Sequence, residues 1–329
     1  MTTAQFAKQL NDLKEKIWIQ ASRYFLIPPF LALVFLGCPE RVLAYSLPAA
    51  GGEIGTSATM IGHGSIEGFS KGASSIFENS ATLMGDKQGY SASTMWCQFT
   101  ATEATYWDLA GAVSFDPQYA ISAGIIKTSI ANIDITELNG LGEAASAGTF
   151  SVGSTTTMLG GRWTLNKDTQ LGVTMKSLSS SLSPTMSGTS LDFDPGVLFN
   201  TEYGQFSVVA RNIMGSAITY SDGSKESVPR EFIGSYRSDP ISEYQISVMA
   251  QVRKRGNFYP KAIGATAPIG SKTLMVSTGW REDLVVNTIR PRLSLGLSLI
   301  LDSLSINYAL EPSDYFQQTN QHYVSIEFY

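Results

Sequence analysis

Charged side chains are scarce in this sequence: they make up only 16% of its 329 residues, against roughly a quarter in typical soluble domains. So small a set does not clothe an ordinary water-facing surface. Apolar content is nevertheless an ordinary 43%, and no uninterrupted apolar run approaches the about 20 residues that a membrane-spanning helix needs. The apolar residues are therefore dispersed along the chain. Cysteine and histidine are almost absent, two of each: Cys38, Cys97, His63 and His322. Neither a disulfide framework nor a metal cluster is built from such a set, and no cofactor motif is present. The net charge of −5 argues against nucleic acid as a partner, since binding it needs a basic face.

The longest apolar block, "FLIPPFLALVFLGC" from Phe25 to Cys38, is short for a span and is broken by Pro28 and Pro29. With Lys14, Lys16 and Arg23 ahead of it and Val42-Leu43-Ala44 behind it, it reads as a secretory signal peptide covering residues 1–44. Removal of that segment takes away five basic and three acidic side chains and leaves the exported remainder more acidic still. It also leaves Cys97 as the single cysteine. No internal disulfide is then available.

What the sequence has in quantity is alternation. In "LSLGLSLIL", Leu293, Leu295, Leu297, Leu299 and Leu301 share one face and Ser294, Gly296 and Ser298 the other. "SLSINYAL" repeats the pattern, as do the segments around Trp107, Val173 and Val248. A soluble sandwich alternates too, but its polar face carries Lys and Glu. Here that face is Ser, Gly, Ala, Thr and Gln, small groups suited to a crowded interior, so the apolar face looks outward into lipid. This pattern predicts an all-β fold, a transmembrane antiparallel β-barrel of about 14 strands over residues 88–329, in an outer membrane of the Gram-negative type.

The connections at 116–118, 166–168, 202–204, 238–241, 269–270 and 302 read as tight turns, and those at 132–146, 182–186, "SDGSKES", "EDLVVNT" and "PSDYFQQTN" as longer loops. Short turns on one side and longer loops on the other suit such a barrel, with the turns and both termini periplasmic. The last strand sets Val324, Ile326 and Phe328 on one face and stops on Tyr329. It is expected to close the barrel against the first strand, because an open edge in lipid leaves backbone groups unsatisfied, and to act as the recognition tag for the barrel-assembly machinery.

Residues 45–87 do not alternate. They contain "MIGHGSIEGFSKGASSIFENSATLMG", which resembles the N-terminal plug of PorV-like proteins within the wider FadL-like barrel family. Gly62, Gly64, Asn79, Ala81 and Leu83 match that element, while Ser80 and Thr82 stand where the family has Pro and Gly. "LGVTMKSLSSSL", "FDPGVLF", "VVARNIMG", "VPREFIGSYR" and "HYVSIEFY" resemble successive strands of the family in order. The resemblance implies a barrel with its lumen occupied by the N-terminal segment. It also implies either a channel for small hydrophobic or amphipathic compounds, gated by the plug, or a barrel that anchors or shuttles an exported partner protein.

His63, Ser65 and Glu67 supply the residue types of a hydrolase triad, but neighbours in one Gly-rich stretch seldom orient one another, and plug backbone is the simpler reading. No enzymatic activity is expected. Lys176, Arg211 and Arg237 fall on the inward face, as do Asp108 and Glu327. Two readings follow: the inward charges pair, bracing wall and plug, or the cations line a path for an anionic head group. Trp107, Trp163, Tyr236, Trp280 and Tyr308 suit the aromatic girdles of the membrane interfaces.

Overall fold

The computed structural model describes residues 54–85, 88–99, 104–138, 144–183, 186–241, 244–270, 273–285, 288–312 and 320–329. The segment read as a signal peptide lies outside them.

Among the described residues sixteen strands form one antiparallel sheet. In chain order they are β1 (Gly89–Phe99), β2 (Ala104–Asp116), β3 (Tyr119–Leu138), β4 (Ala144–Asn166), β5 (Thr169–Ser183), β6 (Met186–Thr201), β7 (Gly204–Arg211), β8 (Ile218–Tyr220) and β9 (Lys225–Glu226). Then come β10 (Glu231–Ser238), β11 (Ser247–Arg255), β12 (Lys261–Pro268), β13 (Leu274–Val285), β14 (Thr288–Ile300), β15 (Leu304–Glu311) and β16 (Gln321–Phe328). β8 and β9 form a small hairpin hung on the upper part of β6. The other fourteen strands among the described residues close into a barrel, with β5 paired to β6 and β1 to β16.

The expected closing strand takes its place in that ring. Trp96 stands opposite Val324, Thr94 opposite Ile326 and Ala92 opposite Phe328, and the other edge of β16 pairs with β15. Phe328 points outward, whereas the Tyr329 backbone N–H donates to Ser303 O and its hydroxyl to Glu327.

Alternation translates directly into burial. On β14, Leu293 and Leu295 are 61% and 58% exposed, while Ser294 and Ser298 between and beyond them are 2% and 7% exposed. Around the ring the inward positions are small polar residues, among them Ser91, Ser93, Ser122, Ser207, Ser235 and Ser325. The outer surface is a continuous apolar band that includes Trp96, Leu109, Ile121, Leu159 and Val173. That inside-out distribution is what a lipid-facing barrel requires. Trp163 and Tyr308, assigned to the girdles, lie exposed on this outer surface.

Two features differ from the sequence reading. Much of the segment expected to be a loop at 132–146 is strand, because Ile133, Ile135 and Phe150 continue the β3–β4 ladder past a bulge after Ile130. Ser183 opposite Met186 and Asp283 opposite Arg290 likewise extend the β5–β6 and β13–β14 hairpins into residues read as loop. These hairpins are therefore taller than the sequence pattern predicts. The second difference is β7, expected to run to residue 219 and ending at Arg211. Asn212 has φ +55, a left-handed value that turns the chain. The next amides donate to carboxylates instead of a strand: Asn212 N to Asp194, and Met214 N and Ser216 N to Asp192.

Candidate functional site

Inside the barrel, residues 54–85 lie across the lumen against Gly172, Gly279, Gly296 and Ser325 of the wall. They contain one short helix, α1 (Ala58–Gly62), and two 3-10 turns, Ala73–Phe77 and Ser80–Thr82. Both Ser57 and Asn79 cap the turn that follows them, accepting from Met60 N and Ala81 N. So irregular a segment leaves many backbone groups without partners of its own, and the serine-lined wall supplies them. Ala58 N donates to Ser325 Oγ, Gly64 N to Ser294 Oγ, Ala73 N to Ser91 Oγ and Glu67 N to Gln251 Oε1. Asn79 Nδ2 donates to Ser207 Oγ and Val197 O. Arg162 Nη1 donates to Leu83 O.

Glycines in the wall let the two backbones meet. A Cβ on Gly279 would stand 2.0 Å from Gly64 N, and one on Gly172 would stand 2.0 Å from Ala81 N. Gly62 meets Gly296 in the same way, and Gly196 faces the Asn79 side chain. Glycine inside a strand weakens it, so its presence at inward positions of β5, β6, β12, β13 and β14 marks close approach of another chain segment. At these points plug and wall backbones are in direct contact.

Ion pairs complete the attachment. Glu67, 2% exposed, accepts from Arg211 Nη2 at 2.5 Å and from Arg253. Arg211 also donates to Phe77 O, and Glu231 joins Arg253 and Arg255. A second cluster links Arg281 to Glu311, Asp283 and Ser65 Oγ, with Arg292 on Asp283 and Tyr323 on Glu311. Each is satisfied by several partners, as buried charge requires.

Two plug groups titrate unusually. Burial pushes His63 down to about 4, so the ring is neutral and its Nε2 donates to Ile66 O. Glu78 is pushed up to about 7, chiefly by burial, against the opposing hydrogen bonds from Ser70 Oγ and Gly68 N. A carboxyl raised from 4.5 to about 7 favours the docked plug fully below the lower value and loses that contribution as pH rises through the upper one. The native protein is therefore expected to lose stability between pH 5 and pH 8 relative to Glu78→Gln. Thermal unfolding of both proteins across that range tests this, and parallel curves would refute it.

Above the plug lies a cavity of about 80 Å³. Phe77 lies at its floor; Ile126, Met158, Leu178 and Val228 give it an apolar side. Lys176, Arg211, Arg255, Asp192, Asp194 and Glu231 give it a charged one. Leu178 also packs against Ile218 and Tyr220 of the β8–β9 hairpin. Asn212 Nδ2 donates to Pro229 O, tying the two ends of that flap together.

No protein-family model matches the sequence, and no curated protein does either. Solved structures do. The toluene transporter TodX of Pseudomonas putida aligns with TM-score 0.57 at 11% identity over 83% of this chain and 96% of its own. The toluene transporter TbuX of Ralstonia pickettii gives 0.56 at 11% identity, over 83% and 97%. A Pseudomonas aeruginosa FadL homologue gives 0.55 at 10% identity, over 88% and 99%. The fold is FadL-like.

In this FadL-like barrel the residues singled out from the sequence occupy different places. Lys176 and Arg211 both line the cavity. Lys176 Nζ lies 2.6 Å from Asp194, and Arg211 is held by Glu67. Arg237 points inward near the short-turn end, 6.0 Å from the centre of the Phe69 ring. Gly62, Asn79, Ala81 and Leu83 are buried in the plug, and Gly64, with φ +88, turns beside the wall. His63, Ser65 and Glu67 diverge to Ile66 O, Arg281 and the Arg211–Arg253 pair, so they form no triad. His322 is exposed and hydrogen-bonded to Tyr308. Among the described residues no group of three metal-ligating side chains converges. Sequence reasoning missed Asp192, Asp194, Glu231 and Glu311. Their inward parity was available, but nothing local distinguishes them from loop acids.

Proposed function

We propose that the protein is an outer-membrane channel for small hydrophobic or amphipathic compounds, in a Gram-negative-type envelope, with the plug as its gate. One observation carries the reading: a FadL-like barrel holds, against the plug residue Phe77, a cavity lined on one part by apolar side chains. The likeness to structures described as toluene transporters supports the same class of cargo. In this reading the short turns are periplasmic, the tall hairpins extracellular, and Val324, Ile326, Phe328 and Tyr329 serve the barrel-assembly machinery. The inward charges act first as braces, since Lys176 and Arg211 are already paired.

Reconstituted liposomes test the gate. Deleting residues 60–86 should raise the leakage of small solutes, and unchanged permeability would count against gating. Mass spectrometry of the detergent-solubilised protein tests the cargo. A bound lipid-like compound supports the channel. A stoichiometric exported protein with no small molecule would instead favour the PorV-like anchoring role.

A further inference from the structure

The charged side of the cavity bears on which compounds the channel accepts. Three cations, Lys176, Arg211 and Arg255, face three anions, Asp192, Asp194 and Glu231. The cations are all engaged. Lys176 is paired with Asp194, Arg255 Nε lies 3.3 Å from Glu231, and Arg211 serves Glu67 and Phe77 O. The Asp192 carboxylate accepts the backbone N–H groups of Phe193, Met214 and Ser216. An incoming carboxylate thus finds each of these three cations already engaged by an anion, and must displace a carboxylate from a largely buried ion pair. An incoming ammonium finds Asp194 and Glu231 engaged by cations and Asp192 by three backbone N–H groups, and it brings a net charge into a lining whose cations and anions balance.

A hydrocarbon fits against Phe77, Ile126, Met158 and Leu178 but leaves the opposite wall facing apolar surface. A hydroxyl or amide avoids both difficulties. It donates to a spare carboxylate lone pair and accepts from a hydroxyl such as Thr156 or Ser190 without breaking an ion pair. A cavity of about 80 Å³, about half of the roughly 150 Å³ that holds a benzene ring, takes such a head group and leaves the remainder of the molecule to extend from its open side.

We infer that the cavity selects small amphipathic compounds whose polar end is uncharged, such as alcohols, phenols and amides, over carboxylates, amines and plain hydrocarbons. The inference rests on the channel reading. Asp194 and Lys176 determine the choice, because both line the cavity, pair at 2.6 Å and cancel each other's charge. In Asp194→Asn the amide oxygen still accepts the Asn212 N–H bond, now 2.8 Å long, while the cavity is left with one uncompensated cation.

Benzyl alcohol, benzoate, benzylamine and toluene share one ring and differ in the head group, so they serve as probes for calorimetric titration of the full-length solubilised protein. The native chain should bind benzyl alcohol about tenfold more tightly than each of the other three, the value of one charged hydrogen bond not broken. Asp194→Asn should move the preference to benzoate, and Lys176→Gln should move it to benzylamine. Equal affinity for all four probes overturns the inference while leaving the channel standing. So does an unchanged preference in both variants, provided that they unfold at the native temperature. If no probe binds the native protein, both the inference and the channel reading fall.

Discussion

Gly279→Leu and Gly172→Leu should each unseat the plug, raising small-solute leakage to that of a chain lacking residues 60–86. The clash is with backbone, not with the movable end of a side chain. At both positions even a Cβ would lie 2.0 Å from a plug nitrogen, far inside ordinary contact, and overpacking of this kind costs about 1–3 kcal/mol or more. The wall cannot yield, because each of these glycines sits in a strand hydrogen-bonded on both sides. The plug must move. Gly111→Leu is the control: it faces outward with nothing within 4 Å, and it should leave leakage unchanged. If leakage through Gly279→Leu and Gly172→Leu matched that control, the tight seal between plug and wall would be refuted.

Glu67→Gln should be the most destabilising single substitution in the plug. Glu67 answers two guanidinium groups at once, Arg211 and Arg253. Its amide replacement leaves both buried with one negative charge fewer between them, and breaking a buried pair in this way typically costs about 3–5 kcal/mol. Arg253 keeps a longer contact to Glu231 at 3.7 Å, whereas Arg211 is left with its hydrogen bond to Phe77 O. Adding Arg211→Met to Glu67→Gln should therefore restore much of the loss, since it removes the stranded charge as well. Thermal unfolding of the single and double variants decides the matter. A double variant no more stable than Glu67→Gln would show that the charge balance is not what matters.

The barrel was legible in the sequence because its signal is local. Leu293 to Leu299 against Ser294 to Ser298 states which face is which without knowledge of any partner strand. The hairpin tips were misread for a related reason: Ser and Pro at 183–184 carry turn chemistry, yet Ser183 opposite Met186 continues a ladder that only pairing reveals. Arg211 was visible as an inward cation, but its partner Glu67 lies 144 residues away. Separations of that size are set by barrel closure, and no window along the chain contains them. Gly172 and Gly279 read as weak strand positions until the plug backbone is placed beside them.

The plug's attachment points also bear on the order in which the protein folds. Residues 58–81 are held by Gly172 and Gly196 from the first half of the ring and by Gly279, Gly296 and Ser325 from the second. Contacts so distant in sequence are made late, because the loop entropy they consume is recovered only once the intervening chain is ordered. The segment that leads the barrel in the chain is thus among the last to reach its final place: it waits on β16, the strand that closes the ring.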